Sequence, residues 1–418
     1  MDIKAEIHQM GRQALAASRG LAKLSTEEKD TILQAMADGL LADEGAILAA
    51  NAKDIEAAEA NGLTSAMVDR LRLDHDRLAA VADGVRQVAA LPDPVGEVMA
   101  DWDRPKGLNI QQVRVPIGVI GIIFESRPNV TSDAAVLCFK TGNATILRGG
   151  KEAIHSNTAI ATALQAGGGA AGLPEHSIQL IPFTERESVQ HLAQMDDFLD
   201  LIIPRGGAGL IEAVVSMARM PVIKHYDGIC HTYVHGAADL QMAADITVNA
   251  KTHKPSVCNA LETLLVDRSI AAEFLPQAGA ALRNKGVELR ADEEAVGILG
   301  DGAVPATPDD WTTEYLDLIL AVKVVDDLDA AIAHINEFGS HHSDCIVTAD
   351  EVAAGQFMAE VDSAVVFWNT STRFSDGEEF GFGAEIGIST DKLHARGPMA
   401  LRELTSYKYL VRSEGVVR

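Results

Sequence analysis

The chain has 418 residues, of which 60 are Asp or Glu and 35 are Lys or Arg, so its formal net charge is −25. This length exceeds what one hydrophobic core normally supports, and we expect two or three domains. Such an acidic surface repels the phosphates of nucleic acids and of anionic membranes, which argues against both as partners. Any anionic ligand must therefore be bound by a local basic pocket.

The four cysteines, Cys138, Cys230, Cys258 and Cys345, lie far apart and form no Cys-x-x-Cys pair. A chain of this size needs no disulfides, so we expect free thiols in a reducing compartment. The first residues lack the basic and then apolar pattern of a signal peptide, and no apolar run approaches the ~18 residues of a membrane span. The sequence therefore predicts a cytoplasmic protein.

The first 90 residues are rich in alanine and show helical spacing throughout. Ser25-Thr26-Glu27-Glu28 is a capping-box-like start for a helix that reaches about Leu41. Turn residues at 91–96 end this region. Several amphipathic helices without a strand predict a helical layer that packs on a sheet formed later in the chain.

Beyond these helices the pattern changes to strands. Two β-branched runs, 108–115 and 117–124, are separated by Pro116, and apolar strands then alternate with helices. The strands at 144–147 and 199–203 are each followed by a glycine-rich turn and a helix. This repeated order is typical of a parallel, doubly wound α/β sheet.

A second series of strands and helices fills the rest of the chain. Short apolar strands are predicted at 261–266, 319–325 and 345–347, with helices between them. These units predict a second parallel α/β domain. The tail at 401–411 is a predicted strand with no helix after it, so it must pair with a distant strand or with another subunit.

The stretch from His253 to Thr263 contains the most suggestive cysteine. Cys258 follows a Pro-Ser turn and precedes an apolar run, so its sulfur should lie at the mouth of a strand, where a ligand can reach it. Lys251, His253 and Lys254 precede it, and cationic neighbours lower the pKa of a thiol toward the nucleophilic thiolate. A buried structural cysteine is the alternative, because free cysteines often pack as small hydrophobes.

Two glycine-rich turns follow predicted strands. In Arg148-Gly149-Gly150-Lys151 two cations flank a turn that opens a helix, and both the side chains and the backbone amides there favour a phosphate. The turn that contains Gly206 and Gly207 resembles a dinucleotide fingerprint without matching its spacing. Close packing of a helix on a strand explains that second turn equally well.

Polar residues follow the strand at 117–124. Asn129 could cap the helix that begins there, and Arg127 could bind a carboxylate or a phosphate. The pair His341-His342 resembles half of a metal site, but no further ligands stand at a useful spacing, so we expect no metal. A polar pocket or a surface turn explains these histidines better.

Together these segments resemble the aldehyde dehydrogenase superfamily, and within it the branch that reduces the acyl phosphate of glutamate. The resemblance covers nearly the whole chain, and its motifs are long and in the right order. Phe338 departs from the pattern, because a more polar residue is expected there. The motifs that carry the resemblance are 119–130, 146–153, 221–225, 227–231, 253–263, 331–336 and 339–344.

The resemblance implies roles for individual residues. Cys258 would be the nucleophile, and Asn129 would stabilise the oxyanion together with the backbone amide of Cys258. Arg148, with Lys151 nearby, falls where the adenosine ribose is contacted, and cations there suit the 2′-phosphate of NADPH. Glu314 would hold the nicotinamide ribose. The other implied contacts are Gly149, Gly150, Gly206 and Gly207 for the cofactor, and Ser126, Arg127 and Lys254 for the substrate.

The resemblance also implies a reaction. Hydrolytic members of the superfamily carry a glutamate that activates water against a thioester, but residues 224–229 contain no glutamate. A thioester on Cys258 would then persist until hydride reduces it or phosphate attacks it. The implied activity is the NADPH-dependent reduction of glutamyl 5-phosphate to glutamate 5-semialdehyde and phosphate, a step of proline biosynthesis.

The implied domains are discontinuous. Residues 1–107, 124–230 and 363–375 would form the NADP-binding domain, and residues 231–362 would form the catalytic domain. The rest of the chain would form a β arm for oligomerisation.

This arm consists of residues 108–123 and 376–418, and it would join copies of the chain into a homodimer or a larger homo-oligomer. The substrate is a small molecule, glutamyl 5-phosphate. Glutamate 5-kinase, which makes this unstable acyl phosphate, is a candidate partner.

Three other functions remain open. An aldehyde dehydrogenase that acylates coenzyme A would need coenzyme A instead of phosphate. A cysteine hydrolase, with Cys258 paired to His253 or His225, would turn over without nicotinamide and would leave both glycine turns unexplained. A non-catalytic nucleotide-binding protein would have no use for Cys258 and Asn129.

Overall fold

Residues 2–125 and 127–418 are described by a computed structural model of the chain. They divide into two units. The first unit contains Met1–Lys224, Gly381–Gly387 and Met399–Arg418, and the second contains His225–Phe380 and Ile388–Pro398. Within the described residues, no helix is long and apolar enough to cross a membrane.

Helices open the first unit, as the alanine-rich pattern predicts. Ser25 and Glu28 form the expected capping box: the amide of Ser25 donates to the Glu28 carboxylate at 2.7 Å, and the amide of Glu28 donates to Ser25 Oγ at 3.3 Å. The five helices are α1 (Ile3–Leu21), α2 (Thr26–Ala42), α3 (Glu44–Ala60), α4 (Ser65–Leu71) and α5 (His75–Ala90).

Alternating strands and helices complete the first unit up to Lys224. They are β1 (Val98–Arg104), β2 (Leu108–Pro116), β3 (Val119–Phe124), α6 (Asn129–Lys140), β4 (Ala144–Arg148), α7 (Ile154–Ala170), β5 (Ile178–Leu180), α8 (Arg186–Ala193), β6 (Leu201–Arg205) and α9 (Ala208–Met217). Four of these strands form a parallel sheet in the order β5-β4-β3-β6. Every residue of β3 is buried, which explains its unbroken apolar sequence.

The second unit is built on a seven-stranded parallel sheet. Its elements are β7 (Cys230–Val234), α10 (Leu240–Thr252), β8 (Leu261–Asp267), α11 (Arg268–Asn284), β9 (Glu288–Ala291), α12 (Glu293–Leu299), β10 (Val304–Pro305), β11 (Ile319–Val325), α13 (Leu328–Phe338), β12 (Ser343–Val347), α14 (Glu351–Glu360) and β13 (Val365–Trp368). The strand order is β10-β9-β11-β8-β7-β12-β13. Both parallel sheets confirm the predicted α/β fold with two doubly wound units.

The C-terminal segment supplies three further strands. β14 (Gly387–Ser389) and β15 (Gly397–Met399) form a two-stranded sheet, and β16 (Thr405–Arg412) pairs antiparallel with β2. The tail strand therefore finds a distant partner, one of the two possibilities that its sequence allows. β1 lies on the other side of β2, and its polar, largely exposed sequence gave no strand prediction. Association of copies through this three-stranded sheet stays a prediction.

Several of the expected domain boundaries need correction. Residues 376–380 and 388–398, expected in the arm, and residues 225–230, expected in the cofactor domain, lie in the second unit. β13 pairs with β12, so residues 363–375 lie in the second unit and not with the cofactor domain. β3 lies between β4 and β6, so residues 119–123 belong to the sheet of the first unit and not to the arm. An apolar strand sequence indicates burial but does not specify which strands will be its neighbours.

The fully buried side chain of Asn143 joins three segments of the first unit. Its Oδ1 accepts from the amide of Gly118 at 2.8 Å, and its Nδ2 donates to the carbonyl of Leu404 at 2.8 Å.

We predict that Asn143→Ala lowers the free energy of unfolding by about 2 to 5 kcal/mol, because two main-chain groups lose their partner. Asn61→Ala, which removes an exposed bond to the Ala57 carbonyl, should cost about 1 kcal/mol or less. Urea unfolding of both variants checks this, and equal losses would contradict it.

Candidate active site

Four loops of the second unit meet at the amino edge of its parallel sheet. They precede neighbouring strands: 228–229 comes before β7, 258–260 before β8, 314–318 before β11 and 340–342 before β12. Because the strands are parallel, their first residues lie at one edge of the sheet. Ligands of open α/β sheets usually bind at the opposite, carboxyl edge. The nucleophile candidate Cys258 lies in the second of these loops.

Cys258 is half-buried, and its main chain is held by the start of β7. The buried thiol of Cys230 donates to the carbonyl oxygen of Cys258 at 3.3 Å. Gly228 lies directly against the same peptide: a Cβ on Gly228 would stand 2.6 Å from the Cα of Cys258 and would overlap its carbonyl oxygen. Only glycine fits at position 228 without moving the main chain of Cys258.

Gly228 is fixed in turn by Glu314. The amide of Gly228 donates to Glu314 Oε1 at 2.9 Å, and the next amide, that of Ile229, donates to Ser340 Oγ at 2.8 Å. Burial raises the pKa of the Glu314 carboxyl group, and the Gly228 hydrogen bond opposes that rise. Glu314, assigned by resemblance to the cofactor, is thus also a support for the loop that packs on Cys258.

Lys251 does not act as a basic neighbour open to a ligand. Its ammonium group is fully buried and lies 2.6 Å from Glu262 Oε2, and the other oxygen of Glu262 accepts from the amide of Leu316 at 3.1 Å. Burial lowers the pKa of Lys251 and raises the pKa of Glu262 to about 7. The expectation that Lys251 is a free cationic neighbour of the Cys258 thiol is therefore wrong, because its charge is paired with that of Glu262.

Residues 371–375 form part of this region, which the sequence analysis missed. The side-chain amide of Asn259 donates to the carbonyl of Ser375 at 2.9 Å, and Thr372 Oγ1 donates to the carbonyl of Asn259 at 2.8 Å. The residue after the nucleophile is thus bonded to a segment 116 positions later in the chain. Arg373 lies in this segment. Nothing in a local pattern indicates that contact.

The histidines next to this edge form buried polar contacts. His342 Nδ1 lies 2.9 Å from Ser343 Oγ and 3.7 Å from Cys230 Sγ, and burial lowers the pKa of its imidazole to about 3. His341 Nδ1 lies 2.6 Å from the carbonyl of Asp362. Both histidines therefore have structural partners, in line with the polar pocket expected for them.

In the first unit, the candidate cofactor residues lie at the ends of β4 and β6, at the carboxyl edge of the sheet. Arg148 Nη2 donates to the carbonyl of Thr184 at 3.0 Å, whereas its Nε is buried and has no partner among the described residues. Burial lowers the pKa of this guanidinium, while the charge of Glu152 opposes that shift. An unmatched buried donor at a strand end suits a phosphate oxygen, so the residues fit a dinucleotide.

The turn at Gly206 and Gly207 is already occupied by a carboxylate of the chain. Glu125 Oε2 accepts from the amide of Gly207 at 3.2 Å, at the start of α9. Gly149 and Gly150 are buried at the end of β4, and Lys151 is exposed. The structure therefore brings the two glycine turns to one sheet edge, and it places the carboxylate of Glu125 where an anion would approach the second turn.

Asn129 is the first residue of α6 and not its cap. The cap position is Pro128, which makes no side-chain cap bond. The side-chain amide of Asn129 donates instead from Nδ2 to Asp133 Oδ2 at 2.8 Å. Burial raises the pKa of Asp133 to about 6, and the bond from Asn129 opposes that rise. Since Nδ2 carries two hydrogens, one remains for a ligand.

Of the three residues predicted to bind the substrate, the structure describes two. Arg127 and Lys254 are exposed, and Ser126 lies outside the described residues. The structure thus gathers Cys258 and Glu314 at one sheet edge of the second unit. It gathers Asn129, Arg148 and the glycine turns at one sheet edge of the first.

Known proteins resemble this chain over its full length. The sequence model of the aldehyde dehydrogenase family matches residues 2–298. A gamma-glutamyl phosphate reductase of Moorella thermoacetica is 54% identical over 418 residues and covers 100% of both chains. A reductase of the same name from Symbiobacterium thermophilum is 56% identical and covers 99% of this chain and 100% of its own.

A solved structure agrees with these sequence matches. The crystal structure of gamma-glutamyl phosphate reductase from Thermotoga maritima has a TM-score of 0.97 and 46% sequence identity, and it covers 99% of this chain and 100% of its own. The resemblance found in the motifs is therefore confirmed. The chain belongs to the aldehyde dehydrogenase family, and within it to the gamma-glutamyl phosphate reductases.

Proposed function

We propose that this chain catalyses the NADPH-dependent reduction of L-glutamyl 5-phosphate to L-glutamate 5-semialdehyde and phosphate, in proline biosynthesis. The observation that carries the proposal is the position of Cys258. Its thiol is half-buried, and its main chain is in contact with Gly228 and accepts a hydrogen bond from the thiol of Cys230. Full-length relatives that carry the name of this activity support it.

The first half of the reaction forms a covalent acyl-enzyme. The Cys258 thiolate attacks the γ-carbonyl carbon, and the C–O bond to phosphate breaks with its electron pair leaving on phosphate. The backbone amide of Cys258 and the side-chain amide of Asn129 stabilise the oxyanion of the tetrahedral intermediate. The product of this half-reaction is a thioester.

The second half needs the thioester to survive. Residues 224–229 contain no glutamate, Glu262 is bound to Lys251, and Glu314 accepts from the amide of Gly228. These nearby glutamates are therefore committed to protein partners and are poorly placed to activate water. A bound nicotinamide cofactor supplies the hydride for reduction. The Cys258 thiolate then leaves the thiohemiacetal, and the aldehyde is released.

This function is tested in the reverse direction, with glutamate 5-semialdehyde, NADP and phosphate. We expect NADPH formation that depends on phosphate and is not supported by coenzyme A. Cys258→Ser should lower kcat by about 10³-fold or more, because the hydroxyl is a far weaker nucleophile than the thiolate. NADP affinity by calorimetry should change less than about twofold, which shows that the variant is folded. Phosphate-dependent turnover by Cys258→Ser at a rate near that of the wild type would contradict the assignment.

We further propose that the cofactor is NADPH, with Arg148 and Lys151 at its 2′-phosphate. Members of the family use nicotinamide cofactors. The buried, unpartnered Nε of Arg148 is the donor that supports the phosphorylated form.

The contact between Arg148 and the 2′-phosphate is tested by the ratio of the kcat/KM values for NADPH and NADH. Arg148→Gln should lower the ratio of their kcat/KM values by about 10- to 100-fold, because a charge-assisted hydrogen bond contributes about 1.5 to 3 kcal/mol. Arg219→Gln, at an exposed arginine 3.9 Å from Asp196, should leave the ratio unchanged. An unchanged ratio in Arg148→Gln would show that the cofactor's phosphate lies elsewhere.

A further inference from the structure

A cavity of about 330 Å³ lies in the second unit beside the loop of the nucleophile. One wall is formed by Asp245 and Asn249 of α10 and by His253, which directly follows that helix, and the other wall is the segment 369–374 with Arg373. Glu379 completes the charged lining. The cavity therefore combines cationic and anionic side chains on a small concave surface.

Arg373 is the unusual residue of this lining. Its side chain is half-buried, and its Nε is fully buried without a hydrogen-bond partner among the described residues. Arg396 also has a buried Nε without a partner in the described part of the chain, but its Nη2 pairs with Asp362 at 2.8 Å. Lys251 and Arg290 of the same unit likewise form ion pairs with carboxylates. A buried guanidinium donor without an acceptor costs about 1 to 3 kcal/mol, and a bound anion would remove that cost.

Arg373 is also coupled to the nucleophile. The side-chain amide of Asn259 lies 3.5 Å from the Arg373 carbonyl, and Thr372 Oγ1 donates to the carbonyl of Asn259. Burial lowers the pKa of the Arg373 guanidinium, and negative charge on Asp376 and on Cys258 opposes that shift. A ligand on Arg373 would therefore lie close to the thiol that reacts.

The charges of the cavity decide what kind of ligand fits. Asp245 and Glu379 would repel a doubly charged phosphate, but they can accept hydrogen bonds from an ammonium group. Arg373 and His253 can donate to a carboxylate. An α-amino acid head group carries both an ammonium and a carboxylate.

We propose that Arg373 binds the α-carboxylate of the substrate and that this cavity selects an amino-acid head group. The proposal rests on the proposed function and names the part of the site that chooses glutamyl 5-phosphate over simpler acyl phosphates. The γ-carbonyl then extends from the cavity to Cys258, and the leaving phosphate is held elsewhere.

The test compares two Michaelis constants and one specificity constant, kcat/KM, in the reverse reaction. Arg373→Gln should raise the KM for glutamate 5-semialdehyde by about 10- to 100-fold, the value of one charge-assisted pair. The KM for phosphate should change by less than about twofold. The kcat/KM for propanal, an aldehyde with no head group, should also change by less than about twofold. Arg373→Lys should give an intermediate KM, because lysine keeps the positive charge but cannot donate two parallel hydrogen bonds to a carboxylate as a guanidinium does.

Arg268→Gln is the matched control, because Arg268 is exposed and pairs with Glu294 and Asp326 outside the cavity. All its constants should equal those of the wild type. A rise in the phosphate KM of Arg373→Gln, an equal loss with both aldehydes, or no change would overturn the proposal. Absence of phosphate-dependent turnover in the wild type would instead contradict the proposed function.

Discussion

The contact between Gly228 and the main chain of Cys258 is the constraint on which the candidate active site depends. It exists because β7 and β8 are adjacent parallel strands, so the peptides before them meet at one edge of the sheet. Glycine allows the approach, and the thiol of Cys230 adds a hydrogen bond to the same carbonyl. Glu314, in the loop before β11, accepts a hydrogen bond from the amide of Gly228. The main chain of the candidate nucleophile is thus fixed by contacts from the start of β7.

The candidate site residues lie at opposite edges of the two parallel sheets. In the first unit the cofactor candidates follow the strands, at the carboxyl edge where amides and helix starts favour phosphates. In the second unit the candidate nucleophile, Cys258, precedes β8 at the amino edge of the sheet. A polar network of His231, Asp344 and Ser363 stiffens the neighbouring strands there, with His231 Nδ1 2.9 Å from Asp344 Oδ1.

Local sequence patterns predicted much of this arrangement. The alternation of apolar strands, turns and helices gave both parallel sheets, and the Pro-Ser turn before an apolar run placed Cys258 correctly at a strand mouth. Local patterns failed where contacts are long-range. The sequence shows Lys251 near Cys258, but only the fold shows that Glu262 takes its charge. Arg373 lies 115 positions after Cys258 in the sequence. It belongs to the second unit because β13, just before it, pairs with β12, and no local pattern specifies that pairing.

The central claim, that Gly228 fixes the nucleophile, is tested by the kcat of Gly228→Ala. The added methyl group must displace the Cys258 peptide, and a shift of about 1 Å in a reacting group costs about 10²-fold in rate. We therefore expect kcat to fall by about 10- to 100-fold, with NADP affinity unchanged. Gly297→Ala, in α12, where a Cβ meets nothing within 4 Å, should keep wild-type kcat. A wild-type kcat in Gly228→Ala would contradict the account.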